Sequence, residues 1–461
     1  MKRWLCMGLA LLFLLLAGCQ AGPVRPVTGP AATGPSRTGA SLRTAGSKTA
    51  ERSVDSATVS TTNTATDTKA KTTASRSTAA TTTAAATRST TAISAVPGVS
   101  GEKRAVWVSY YEIDALLKGK SVTQAGQAID SLMKTCKSYG LNTIYFHVRG
   151  NSDAYYKSTV YPLAASVKAL VEKGFDPLAR AVQAAHQYGM ELHAWINPYR
   201  VGKDESRKQV DKTFAYQKTY YYIPHEAAVQ KLVVDGVKEV VEKYAVDGVQ
   251  FDDYFYPVGA VPDTQPAAFE KTAYAAYKKE AGGKALSVSD WRRDAVDALI
   301  RAVYKTVHTR SGCVFGISPT HDAKKNREKM YADTAAWMNQ TGMVDYMCPQ
   351  VYFGFDHETA PFHEVVNTWR GYPRKASVKL YIGLALYKAG QEDTYAGTGA
   401  DEWQTHDSIM ARSVNWLRTR KGCDGFAFFS YRYFTPAQCG LKGDALKIAE
   451  KEVKQVLALM R

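Results

Sequence analysis

Residues 244–257, YAVDGVQFDDYFYP, hold the reading that decides the fold. A helix-ending stretch gives way to a small turn at Asp247 and Gly248, then to a short apolar run that finishes on two carboxylates, Asp252 and Asp253. Glycine after a helix is the usual left-handed cap before a following strand. A strand covered on both faces reads apolar along its length, and it turns polar only where its end opens on a site. Period-two alternation sets Gln250 and Asp252 on one face and Phe251 on the other, while Asp253 stands at the turn, where parity weakens.

Working outward, the same unit recurs on both sides. Upstream lie 104–109 (RAVWVS), 142–149 (NTIYFHVR) and 190–197 (MELHAWIN); downstream lie 313–319 (CVFGISP), 344–352 (VDYMCPQVY), 379–386 (KLYIGLAL) and 424–431 (DGFAFFSY). With 247–253 these make eight β-rich runs alternating with helical stretches, the pattern of a parallel sheet with crossover helices. The spacing predicts an α/β fold, a (β/α)8 barrel of the TIM type, in preference to an open doubly wound sheet. No phosphate-cradling glycine loop follows any run, which argues against a nucleotide-binding sheet. Runs one to six begin apolar and end polar, on Ser109, on His147 and Arg149, on Asn197, on the Asp pair, on Ser318, and on Gln350 and Tyr352. That is the placement a site at the C-terminal mouth of a barrel requires.

The region before residue 101 has a different character. Met1, Lys2 and Arg3 precede an apolar stretch, then Leu16, Ala17, Gly18 and Cys19, which reads as a lipoprotein signal over 1–18 with Cys19 as the lipid anchor. The apolar stretch is too short to span a bilayer comfortably. Residues 19–100 are Thr, Ala, Ser, Gly and Pro with no aromatic after the signal, a composition that cannot build a core and reads as a disordered linker. Residues 101–461 then form one folded block. The expected location is extracytoplasmic, on the outer face of the cell membrane, or at the outer membrane of a two-membrane cell, since Gln20 after the lipidated Cys would not retain it at the inner one.

The formal net charge is +16, half of it in the first hundred residues, so the folded block gives a weak argument for nucleic acid and none is expected as a partner. Beyond Cys6 and Cys19 five cysteines remain, Cys136, Cys313, Cys348, Cys423 and Cys439. An odd number at irregular spacing is no disulfide framework, although Cys423 and Cys439 flank one segment and could pair. The stretch His363, Glu364, Val365, Val366, Asn367 misses the zinc-protease pattern, and no other cluster has metal spacing, so no metal and no cofactor are expected. No strained Gly-x-Ser-x-Gly elbow supports a serine hydrolase. A monomer is expected.

Two adjacent carboxylates at the end of an apolar strand are costly to hold together. Proximity and low dielectric raise the pKa of one, leaving a protonated acid beside an ionised neighbour, the division of labour that glycoside hydrolysis uses. Asp252 and Asp253 are therefore the candidate catalytic residues. The structural alternative is that one caps the turn and the other pairs with Arg149. Arg149 could hold an Asp ionised or bind substrate oxygens, Asp153 could accept from a sugar hydroxyl, and Asn197 with Tyr199 could supply a hydrogen bond and a ring face. Gln350 and Tyr352 could orient an acetamido group or stabilise an oxocarbenium ion. Tyr254 is one of several aromatic residues just past strand ends, where rings fit pyranose faces. Trp195, His147 and His193 read as core.

The segments RAVWVSYYE (104–112), HVRGNSDAYYKSTVYPL (147–163), HAWINPYR (193–200), DGVQFDDYFYP (247–257), FGISP (315–319) and VDYMCPQVYFGF (344–355) resemble, in that order, the bacterial glycosyl-hydrolase-like family ten lipoproteins. The resemblance covers nearly all of 101–461 and implies a barrel acting on peptidoglycan glycan strands that lack stem peptides. The Asp252–Asp253 pair also looks like the acid site of domains that cut partly de-acetylated poly-N-acetylglucosamine. By that likeness the two aspartates carry the chemistry, with Arg149, Asp153, Asn197, Gln350 and Tyr352 lining the site. One departure follows the fifth run. Many members continue there with Phe-Gly-x-Trp-Arg-Asn, whereas 320–326 here read THDAKKN, which leaves substrate choice and the role of Asp322 open. The expected function is a glycosidase acting on a cell-envelope polysaccharide. The competing readings are a glycan-binding lipoprotein without turnover and, more weakly, a deacetylase, whose metal-binding set is not found.

Overall fold

The computed structural model describes residues 96–98 and 100–461. The signal at 1–18, Cys19 and nearly all of the 19–100 linker lie outside the described residues. Eight strands pair in parallel and close on themselves: β1 (Lys103–Val108), β2 (Thr143–Arg149), β3 (Glu191–Ile196), then, after a three-strand excursion, β7 (Gly248–Phe251), β8 (Val314–Ile317), β9 (Tyr346–Met347), β10 (Lys379–Leu384) and β11 (Gly425–Phe428), which returns to β1. Each of the eight runs expected from the sequence supplies one barrel strand.

Parity divides the strands into two cores. Odd positions of β1 and β2 point inward, so Trp107 and Tyr145 join Trp195, Tyr346, Cys348 and Tyr381 in a filled barrel interior. The alternate residues, among them Val106, Ile144, Val249, Phe251, Phe315 and Ile382, face the surrounding helices in a separate, larger core. The interior is a packed layer structure and not a pore. Gly316 is needed for that packing, because a Cβ there would lie 2.0 Å from the Tyr346 ring.

The seam between first and last strands is fastened by Glu112. It sits in the helix Tyr110–Leu117, accepts from Ser109 N at 2.6 Å in a capping box, and also accepts from Ser430 Oγ at 2.8 Å and Arg432 N at 2.7 Å. Burial pushes its carboxyl above the usual range, and these hydrogen bonds oppose the shift.

Two features depart from the expectation. β9 is two residues long, because Pro349 has no N–H to continue a ladder; Gln350 rejoins the barrel through single bridges to Thr320 and Gly383. Between β3 and β7 the chain builds a small antiparallel sheet of β4 (Arg200–Gly202), β5 (Thr213–Tyr216) and β6 (Thr219–Tyr222), in the order β4-β6-β5. Its hairpin turns through Gln217 and Lys218, both at positive φ, with neither glycine nor asparagine to announce it. Cys423 and Cys439 are both free thiols, so that pairing does not form. Among the described residues no helix is long and apolar enough to cross a membrane.

Candidate active site

The site grows from the end of β7. Gln250 points into the barrel and accepts from the Trp107 indole N–H at 2.7 Å, while Phe251 turns outward onto Phe315. The ladder ends there, yet Asp252 N still donates to Ile196 O at 3.2 Å, so its side chain keeps the inward direction of Gln250. The Asp252 carboxylate accepts from Trp195 Nε1 at 3.1 Å, from Gln350 Nε2 at 3.1 Å and from the backbone N–H of Asp253 at 2.8 Å. Gln350 is itself fixed by a second bond from Nε2 to Ser318 O at 3.0 Å.

The two carboxyls interact directly and titrate together. Burial raises both. Asp253 is driven well above the usual carboxylate range, by burial first and then by the charge of Asp252. Asp252 is raised by burial, with the bonds from Asp253 and Trp195 and the charge of Arg200 working the other way. Of the two, Asp253 is the carboxyl that holds its proton to higher pH, the arrangement of an acid held ready for use.

Around the pair stand rings and one cation. Phe429, half-buried at the end of β11, lies 5.8 Å from Tyr352, 6.1 Å from both Tyr387 and Trp107, and 6.5 Å from Trp195, centroid to centroid. On the other side Arg200 lies over the Tyr254 ring at 4.9 Å, near Tyr110, whose ring lies 4.0 Å from that of Tyr111. His147 stacks on Trp195 at 3.6 Å, and burial, with Arg200 beside it, holds its imidazole well below its ordinary pKa.

The structure therefore brings Asp252, Asp253, Gln350, Tyr352 and Tyr254 together. It separates the others from the mouth. Arg149 is buried beneath it, donating to the carbonyls of Asn197 and Pro198 and lying over the rings of Tyr161 and Tyr222; it forms no ion pair with either Asp. Asp153 is buried, with Oδ2 paired to Arg207 at 2.9 Å and Oδ1 without a hydrogen-bond partner. Asn197 is buried and donates to Gly150 O at 2.8 Å, and Tyr199 is fully buried in the outer core, so it offers no ring face to the mouth. Asp322 caps the helix Ala323–Lys329 through Lys325 N. Sequence reading passed over Trp195, Arg200 and Phe429 as site residues. Strand parity could have found Trp195 and Phe429, which share the inward face of their strands; Arg200 lies past its run, in the unexpected small sheet.

Residues 102–397 match the family described as Glycosyl hydrolase-like 10. The chain is 32% identical over 318 residues to a protein of Bacillus subtilis named glycosyl hydrolase YngK, covering 62% of this chain and 61% of that one. It is 31% identical over 301 residues to glycosyl hydrolase DigH of Escherichia coli, covering 58% and 66%. The match thus spans less than two thirds of either relative. Among solved structures, the PgaB glycoside hydrolase domain from Bordetella bronchiseptica aligns with 78% of this chain and 99% of its own, at 12% identity and a TM-score of 0.47, too distant to argue from. On the match over residues 102–397, this chain belongs to the Glycosyl hydrolase-like 10 family.

Proposed function

We propose that the protein is a glycoside hydrolase that cleaves β-linked N-acetylated glycan, with peptide-free peptidoglycan backbone strands as its substrate. The observation that carries this is the Asp252–Asp253 pair in a ring-lined mouth, with Asp252 held by Trp195 Nε1, Gln350 Nε2 and the N–H of Asp253. Carboxyls of adjacent residues that interact this directly stand on one side of a bound sugar and do not flank the bond from opposite sides, as a pair roughly 5 Å or more apart does. They act as one acid unit on one side of the sugar. Several acidic groups on the strand-end loops are engaged elsewhere: Asp322 caps its helix, Asp393 pairs with Lys388, and Glu402 accepts from the N–H groups of Phe355 and Asp356. In the mechanism proposed here the attacking group is supplied by the substrate, and an acetamido oxygen is the group an N-acetylated sugar carries.

In this reading Asp253 gives its proton to the glycosidic oxygen as the C1–O bond breaks. The acetamido oxygen of the same sugar closes on C1, and ionised Asp252 accepts from the acetamido N–H and stabilises the cationic ring. Asp253, now a carboxylate, takes a proton from water, which adds at C1 and reopens the ring with retained configuration. Tyr352 and Phe429 offer the face on which the sugar rests. An exported location, held through a lipid on Cys19, is part of the same proposal and rests on the sequence.

Peptide-free strands incubated with the enzyme should yield new reducing ends of retained configuration, and chemically de-N-acetylated strands should not. Equal yield from an Asp252→Asn, Asp253→Asn double variant would sink the assignment of the pair, and equal cleavage of de-N-acetylated strands would sink substrate assistance.

A further inference from the structure

Arg200 is a cation without a counter-ion. Among the described residues no carboxylate lies within the 4.0 Å of an ion pair with its guanidinium, and its Nε is buried with no hydrogen-bond partner. Burial works against its charge, yet an arginine side chain keeps its proton in a protein, so the guanidinium stands charged against the Tyr254 ring. The backbone fixes the position as well, since Arg200 pairs with Tyr221 in the small sheet. Both aspartates feel this charge, yet the guanidinium stands off from them beyond contact distance. An arginine whose task was only to keep Asp252 ionised would touch it. A caged arginine that stops short beside an acid pair leaves room for an anion, and its fork suits a carboxylate.

We propose that Arg200 is a specificity residue that binds a carboxylate carried by the glycan, on the sugar adjoining the scissile bond. This rests on the glycan-hydrolase reading above and narrows it to acidic strands, in which the sugar's own ether-linked acid is free and not blocked by an amide. Neutral N-acetylated oligomers and amidated strands lose the contact.

The test separates binding from turnover. In the Asp252→Asn, Asp253→Asn background, peptide-free strands and the same strands with amidated carboxyls are titrated with and without Arg200→Gln, with binding read by isothermal titration calorimetry. Amidation and Arg200→Gln should each weaken binding by about tenfold to a hundredfold, the range for one charge-assisted pair, and together no more than either alone. Arg200→Lys, which keeps the charge and loses the fork, should fall between. Equal weakening of both strand types by Arg200→Gln, indifference to amidation, or no binding of either strand overturns the proposal. Reducing-end release by the enzyme with both aspartates intact reports on the underlying reading: if it cuts free and amidated strands equally fast, the hydrolase stands and the role of Arg200 falls.

Discussion

At the end of β2 the charged residues are Arg149 and Asp153; at the end of β7 they are Asp252 and Asp253. Arg149 spends donors on the carbonyls of Asn197 and Pro198 and lies 4.6 Å over the Tyr161 ring, and Asp153 has Arg207 at 2.9 Å. Burial still raises the Asp153 carboxyl, but Arg207 and Arg149 both oppose the shift. At β7 the nearest charge to each carboxyl is the other one, and the only cation named near them stands off. One strand end offsets its carboxylate with arginines and becomes scaffold; the other keeps an unrelieved pair and can react. Burial alone does not distinguish them, since all four residues are largely withdrawn from water. The sign of the neighbour does.

The largest expected effect breaks the β7 side. Asp253→Asn removes the transferable proton while keeping the shape, and should lower kcat by about 10²- to 10⁴-fold, with no loss of thermal stability in a calorimetric scan. A comparable loss of activity with a lowered melting temperature would mean that Asp253 is scaffold too. The complementary break is Arg149→Met at β2. Buried carbonyls of Asn197 and Pro198 lose their donor, and denaturant unfolding should show about 3 kcal/mol less stability, with residual activity per folded molecule largely kept. The smallest effect sharpens the contrast by pH. Asp253 has a raised folded pKa, so its protonated form stabilises the fold below the ordinary carboxylate range, and that stability is lost as pH rises through the raised value. Asp252→Asn removes the neighbouring charge, so the infrared carboxylic-acid band of Asp253 should disappear at lower pH than in the native protein. An unmoved transition would show that burial by itself sets the titration.

The barrel was legible because its signals are local and repeated. Each run carries its own apolar stretch and polar end, and a glycine turn marks several of the helix ends before them, as at Gly140, Gly189 and Gly422. The Asp pair was legible for the same reason. What was not legible depends on which donors a loop happens to present. Nothing near Arg149 in sequence says that its guanidinium will meet the carbonyls of Asn197 and Pro198, 48 and 49 residues on, and not a carboxylate. Tyr199 lies beside the mouth in sequence, yet it turns into the outer core. The small sheet escaped because its turn, at Gln217 and Lys218, uses residues that seldom adopt left-handed backbone. Trp195 was read as core and is core, but its indole N–H also donates to Asp252, a second use that composition does not reveal.

Glu112 has a consequence for how the chain is made. Its partners Ser430 and Arg432 lie 318 and 320 residues downstream, and the Arg418–Glu102 pair spans 316. A polypeptide emerging from a ribosome or a translocon presents Glu112 early and must wait for almost the whole of the rest before the ring can shut. Such long-range closure is entropically slow. Until it happens the edges of β1 and of whichever strand came last lie open to pairing with other chains. A protease cut or premature stop anywhere before Ser430 leaves that carboxyl without its distal partners, so a shortened product is marked for aggregation or degradation from the outset.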